Sequence, residues 1–167
     1  PAAAAISAVT PPWPDQLFAF PEGVEQARFT GIVIHHSGGL AGSSASIAAE
    51  QEARGIRGLG YHFVIGNGRG SGDGQIQAGY RWQRQLPGAH VIGTSSRAFN
   101  ETTIGICLVG DGDRRHFTAE QVAALIELVN VLQRRYDIDA DRVHLHRDVA
   151  PTASPGRLFP ELDFEQR

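Results

Sequence analysis

The segment Thr103–Gly110 reads Thr-Ile-Gly-Ile-Cys-Leu-Val-Gly, an apolar run without polar alternation. Such a run is a strand fully buried in a core, so a sheet must lie at the centre of this fold. β-rich runs recur on either side of it, at Gly31–His35, Gly60–Ile65, Gln75–Tyr80 and Arg142–His146. Helical segments alternate with them. Ser43 or Ser44 can cap a helix through about Arg54, with Gly55 as its stop. The clearest helix runs from Thr118 to about Tyr136. Thr118 and Gln121 form a capping-box pair, and Val122, Leu125, Ile126, Val129, Leu132 and Tyr136 recur on one face. Gly66–Gly74 holds five glycines with Asn67 and Asp73, and reads as a loop. Strands alternating with helices predict an α/β fold: a single domain with a mixed central β-sheet flanked by helices. An irregular N-terminal segment over 1–28, interrupted by Pro11, Pro12, Pro14 and Pro21, is expected to precede a domain over 29–167.

Composition narrows the function classes. A chain of 167 residues, 41% hydrophobic and 20% charged, has the make-up of one ordinary globular domain. Its net charge of −3 supplies no basic field for nucleic acid or anionic lipid, so neither is expected as a partner. All 15 basic residues are arginine, which excludes a lysine base or lysine electrostatic partner. No apolar run approaches the roughly 18 residues of a membrane span. Cys107 is the sole cysteine; it precludes an internal disulfide, and its place in the buried run predicts a core role. No Gly-x-Ser-x-Gly elbow or Cys–His arrangement supports Ser37 or Cys107 as a nucleophile. The absence of Met and the Ala- and Pro-rich stretch Pro1–Pro14 predict a processed start and export.

Seven histidines remain to be placed. His35 closes the first strand run and His146 the last, and ligand crevices open at strand ends in α/β sheets. Two neutral imidazoles brought together there suit zinc. By spacing alone, the same pair could equally be polar strand ends with satisfied hydrogen bonds. His144 is expected to point away from His146, and His116, just before a helix cap, to be exposed.

Five ordered segments carry a resemblance. Ile32-Val33-Ile34-His35-His36-Ser37, Gly60-Tyr61-His62-Phe63-Val64-Ile65, Gly88-Ala89-His90-Val91, Asn100 with Ile104-Gly105-Ile106 and Val109-Gly110, and His146-Arg147-Asp148-Val149-Ala150-Pro151-Thr152-Ala153-Ser154-Pro155-Gly156 follow one another in series. Together they resemble the type 2 N-acetylmuramoyl-L-alanine amidases, a family that includes phage amidases and the peptidoglycan recognition proteins. The likeness covers about Thr30 to Phe159 and implies a peptidoglycan recognition protein-like fold. It implies zinc (Zn2+) as cofactor, with His35 and His146 as ligands and Ser154 in the place of the third. Tyr61 and Thr152 take the positions that stabilise the oxyanion. His36, Trp82, His90 and Asn100 fall where a substrate groove is expected. Asp148, in the His-Arg-Asp pattern, is expected to be structural.

The implied reaction is zinc-dependent hydrolysis of the amide between N-acetylmuramic acid and the L-alanine of peptidoglycan. Ser154 departs from the family, whose third ligand is usually Cys and in some members Asp. A neutral hydroxyl holds zinc more weakly than thiolate. The alternative implied is therefore a non-catalytic module that binds peptidoglycan or muropeptides. Either is expected outside the cytoplasm, secreted or periplasmic, with a phage-encoded endolysin as the alternative.

Overall fold

In the computed structural model, residues 13–162 and 164 are described; the reading of Pro1–Pro14 as a segment left by export falls almost wholly outside them. The apolar run becomes β4 (Thr103–Leu108) at the middle of a five-stranded sheet, every residue of it buried. Along the chain the elements are α1 (Trp13–Leu17), β1 (Gly31–His36), α2 (Ser44–Ala53), β2 (Phe63–Ile65), β3 (Ile76–Ala78), α3 (Tyr80–Gln83), α4 (Ser96–Thr102), β4, α5 (Ala119–Tyr136), β5 (Val143–Leu145) and α6 (His146–Val149). The strand order is β3-β2-β4-β1-β5. β2, β4, β1 and β5 run parallel, and β3 pairs antiparallel with β2. The expected mixed sheet flanked by helices is the fold observed.

Alternate residues of the strands feed two cores. Ile32, Ile34, Phe63, Ile65, Ile104, Ile106 and Leu108 point to the face covered by Leu125, Leu128, Val129 and Leu132 of α5. Val64, Cys107 and Val109 point to the opposite face, under Ile47 of α2 and Leu59. His35 belongs to this second face. Cys107 is thus a buried core thiol whose pKa burial pushes up, as its place in the run predicts.

Both long helices begin as expected. Ser43 caps α2, and Thr118 and Gln121 close a reciprocal capping box on α5. The buried face of α5 is, however, turned from the expected one. Gln121 is buried because its Nε2 donates to the carbonyls of Ile65 and Val109, at the ends of two strands. Val122 and Ile126 instead border an open apolar groove of about 620 Å³. Strand runs are shorter than their apolar sequence suggests: Gly60–His62 precede β2 as irregular chain, and Tyr80 opens α3.

The N-terminal stretch also departs from an irregular lead-in. Beyond α1, Leu17, Phe18, Phe20 and Ala27 pack on the main core. Phe18 and Phe20 meet Trp82 edge-on at 5.8 and 5.7 Å.

Candidate metal centre at the paired strand ends

Parallel pairing of β1 with β5 ends at Ile34 opposite Leu145. The next residue along each chain is a histidine, His35 still in β1 and His146 opening α6, so the register of the two strands sets His35 beside His146. Their ring centroids are 4.2 Å apart. Two of their nitrogens, His35 Nδ1 and His146 Nε2, are buried without a hydrogen-bond partner. Orphaned buried polar atoms cost roughly 1–3 kcal/mol each, so a pair of them is a place that calls for a ligand.

Both rings are neutral at physiological pH. Burial first, then the neighbouring His90, His146 and His36, holds His35 well below the ordinary histidine pKa. Burial, with His36 beside it, lowers His146 to about 4. Neutral imidazoles with free lone pairs are the form that divalent zinc takes. The donor chemistry of this pair therefore fits zinc. Among the described residues no three His, Cys, Asp or Glu side chains gather into a metal-binding group, so no anionic donor completes the pair.

Ser154 stands where a third donor is expected. It is 5% exposed, and its Oγ accepts a hydrogen bond from the His36 backbone N–H at 3.1 Å. Its loop is tied to α6: Arg147 N–H donates to the Ser154 carbonyl at 2.8 Å, and Arg147 Nη1 to the Gly156 carbonyl at 2.8 Å. The helix that His146 opens and the Ser154 loop are thus tied together. Asp148 is structural, its carboxylate accepting from the Leu145 N–H at 3.3 Å where α6 begins.

Tyr61 lies against His35, ring centroids 5.0 Å apart. Burial and the nearby Cys107 thiol raise its pKa well above the usual phenol value, so it stays protonated and remains a donor. Thr152 is exposed on the Ser154 loop. Its Oγ1 accepts from the Ser154 N–H at 3.2 Å, which leaves the hydroxyl proton to donate elsewhere.

The four residues expected to line a substrate groove are used differently. Trp82 is 1% exposed, stacked within the main aromatic core, with its Nε1 donating to the Leu17 carbonyl at 2.7 Å. It has no surface to offer a ligand. Asn100 spends its amide on backbone: Oδ1 accepts from His90 N–H and Val91 N–H, and Nδ2 donates to the Val91 carbonyl. His36 has its Nδ1 accepting from Gly112 N–H at 3.0 Å and its ring also meets the Pro155 backbone, so it braces two loops. His90 is buried beneath His35, the two joined at 2.9 Å through His90 Nδ1 and His35 Nε2.

His116 is exposed, as expected. His144 lies away from the centre, packed edge-on against Phe99. Strand alternation does not govern that outcome, because β5 ends at Leu145 and His146 opens α6. Sequence reasoning missed Gly88 and Gly105, between which the His90 ring sits. A Cβ on Gly88 would meet His90 Cδ2 at 2.3 Å, and one on Gly105 would meet it at 2.6 Å. Glycine inside a buried strand is the signal that something approaches the backbone closely there.

Comparisons with known proteins bear on this geometry. The profile of the N-acetylmuramoyl-L-alanine amidase family matches residues 25–157. An endolysin of Enterobacteria phage K11 is 34% identical over 102 residues, 58% of this chain and 58% of that protein. Peptidoglycan-recognition protein 2 of Holotrichia diomphalia is 33% identical over 102 residues, 60% of this chain and 48% of that protein. The matches therefore span about half the length of these curated relatives. Among solved structures, the N-acetylmuramoyl-L-alanine amidase LysC from Clostridium intestinale superposes with a TM-score of 0.68 at 30% identity, covering 80% of each chain. A Drosophila PGRP-LB variant in complex with tracheal cytotoxin superposes with a TM-score of 0.62 at 25% identity, covering 84% of this chain and 83% of that one.

Proposed function

Because the chain belongs to the N-acetylmuramoyl-L-alanine amidase family, we propose that it hydrolyses, with zinc, the amide between N-acetylmuramic acid and L-alanine of peptidoglycan. The observation that carries the reading is the orphaned pair His35 Nδ1 and His146 Nε2 on rings 4.2 Å apart. These two nitrogens would hold the metal, with Ser154 as a weak third donor. Zinc, when bound, supplies a Lewis acid and a water of lowered pKa.

The chain's own residues supply the rest. Tyr61, kept protonated by burial, packs its ring against His35 and its hydroxyl against the Cys107 thiol. Thr152 offers a hydroxyl proton from the opposite, exposed loop. These two hydroxyls are the groups we assign to negative charge developing on a scissile carbonyl oxygen. The stem peptide and sugar must approach from the exposed side of Thr152, because His90, Cys107 and Gly105 close the site from below. No helix among the described residues is long and apolar enough to cross a membrane, and relatives named endolysins and peptidoglycan-recognition proteins support action on the cell wall outside the cytoplasm.

One observation favours a second reading. Ser154 brings no charge to the centre, so the chain could bind muropeptides without cleaving them. The deciding experiment measures zinc content and muropeptide hydrolysis for this chain and its Ser154→Cys variant. Hydrolysis by both supports the amidase; hydrolysis by the variant alone supports the binding module; hydrolysis by neither at saturating zinc defeats the amidase reading.

A further inference from the structure

A neutral imidazole carries one N–H and one lone pair, and which nitrogen holds the proton is set by its partners. The Thr103 carbonyl can only accept, and it lies 3.4 Å from His90 Nε2. That contact favours the proton on His90 Nε2 and leaves His90 Nδ1 bare. A bare His90 Nδ1 needs a donor, and among the described residues the ring nitrogen hydrogen-bonded to it is His35 Nε2 at 2.9 Å. His35 must then carry its proton on Nε2, which leaves Nδ1 as the lone pair. His35 Nδ1 is the buried atom without a partner beside His146.

The opposite arrangement fails twice. A proton on His35 Nδ1 would be a buried donor with nothing to receive it. His90 would then donate to His35 and turn a bare Nε2 toward the Thr103 carbonyl, lone pair against lone pair. The ring has no room to escape this choice. It lies between Gly88 and Gly105, where Cβ atoms would come within 2.3 and 2.6 Å of it. Its backbone is pinned by Asn100 Oδ1, which accepts from His90 N–H at 2.9 Å.

We propose that His90 is a positioning residue: its Nδ1 accepts a hydrogen bond from His35 Nε2–H and so fixes the tautomer in which His35 presents Nδ1 toward His146. The relay runs from a strand carbonyl through two imidazoles to the metal-facing lone pair. Gly88 and Gly105 are required because they leave space for its middle member. The inference rests on the zinc reading of His35 and His146, but its first measurement needs no metal.

The test uses the metal-free chain, 15N-labelled, at pH 7.5, where long-range 1H–15N spectra distinguish protonated from bare ring nitrogens. His35 is expected to be protonated at Nε2 and bare at Nδ1. His90→Asn places an amide oxygen near the old Nδ1 and should preserve that state. His90→Leu removes the acceptor, and Gly105→Ala displaces the ring; both should shift His35 toward the Nδ1–H form. Zinc affinity, measured by chelator competition, should fall about 10–100-fold in His90→Leu, the usual cost of losing a ligand's orienting partner, and stay within about threefold in His90→Asn. A wild-type His35 protonated at Nδ1 overturns the proposal. So does a folded His90→Leu or Gly105→Ala with unchanged His35 tautomer. If the wild type binds no zinc, the zinc reading fails while the tautomer spectra still decide the role of His90.

Discussion

The backbone N–H of His36 donates to Ser154 Oγ across 3.1 Å, joining residues 118 positions apart in the chain. That bond holds the third-donor loop against the strand that carries His35. It also occupies one lone pair of a hydroxyl already weaker as a ligand than a thiolate. Replacing Ser154 by Cys keeps the acceptor and adds a group that ionises on binding zinc. Zinc affinity of Ser154→Cys is expected to rise at least about tenfold, or ~1.4 kcal/mol, in chelator competition at pH 7.5. An unchanged affinity would place the metal elsewhere.

Zinc should stabilise the fold through the two orphaned nitrogens. A ligand at about 100 times its Kd adds roughly 2.7 kcal/mol to a folded state that alone binds it. For a domain of this size that is about 5–10 °C in Tm. Scanning calorimetry with and without zinc is expected to show this shift in the wild type. His146→Ala should abolish the shift, and a chelator should remove muropeptide hydrolysis together with it.

Acid should destabilise the protein well above the carboxylate range, and His62 shows why. Its Nδ1 accepts from Gly105 N–H at 3.0 Å, and its Nε2 donates to the Leu86 carbonyl at 2.9 Å. Burial holds its pKa at about 4, against 6.5 for an unperturbed histidine. Between those values the unfolded chain binds a proton that the folded chain refuses, so stability falls as pH drops. The loss from His62 begins near pH 6.5, is complete near 4, and is on the order of 3 kcal/mol. His90 and His146, lowered to about 3 and about 4 by burial, add to it in the same direction. Urea unfolding in zinc-free buffer at pH 7.5, 6.0 and 4.5 measures the slope. A flat profile would show that these rings take up protons as readily in the fold as in the unfolded chain.

Trp82 separates stability from recognition. Trp82→Phe removes the donor to the half-buried Leu17 carbonyl and part of a fully buried ring, which should cost about 1–3 kcal/mol of unfolding free energy. Muropeptide affinity at a temperature where the variant is folded should not change. A loss of affinity without a loss of stability would return Trp82 to the substrate groove.

Much of this was legible in the sequence, for physical reasons. An apolar run without alternation can only be a central strand, and Thr118 with Gln121 marks a helix start in any context. The His35–His146 pair was legible because each closes a β-rich run in the sequence, and the parallel pairing of β1 with β5, which ends one residue earlier, then set them side by side. What was hidden depends on contacts across the chain. Trp82 turned inward because Phe18 and Phe20, from a stretch that reads as irregular, cover it. Val122 and Ile126 lost the core to Gln121 because strand-end carbonyls needed its amide. His36, His90 and Asn100 look like groove residues, yet their polar atoms answer to backbone groups that no local pattern announces.

The aromatic contacts of Phe18 and Phe20 lie before residue 25, where the likeness to the amidase family begins. The folded part of this chain therefore extends beyond the stretch that the family profile matches. Its added stretch clasps the sheet on the side away from His35. Damage to that clasp would be felt first as a softer protein, because it lies across the sheet from the paired histidines.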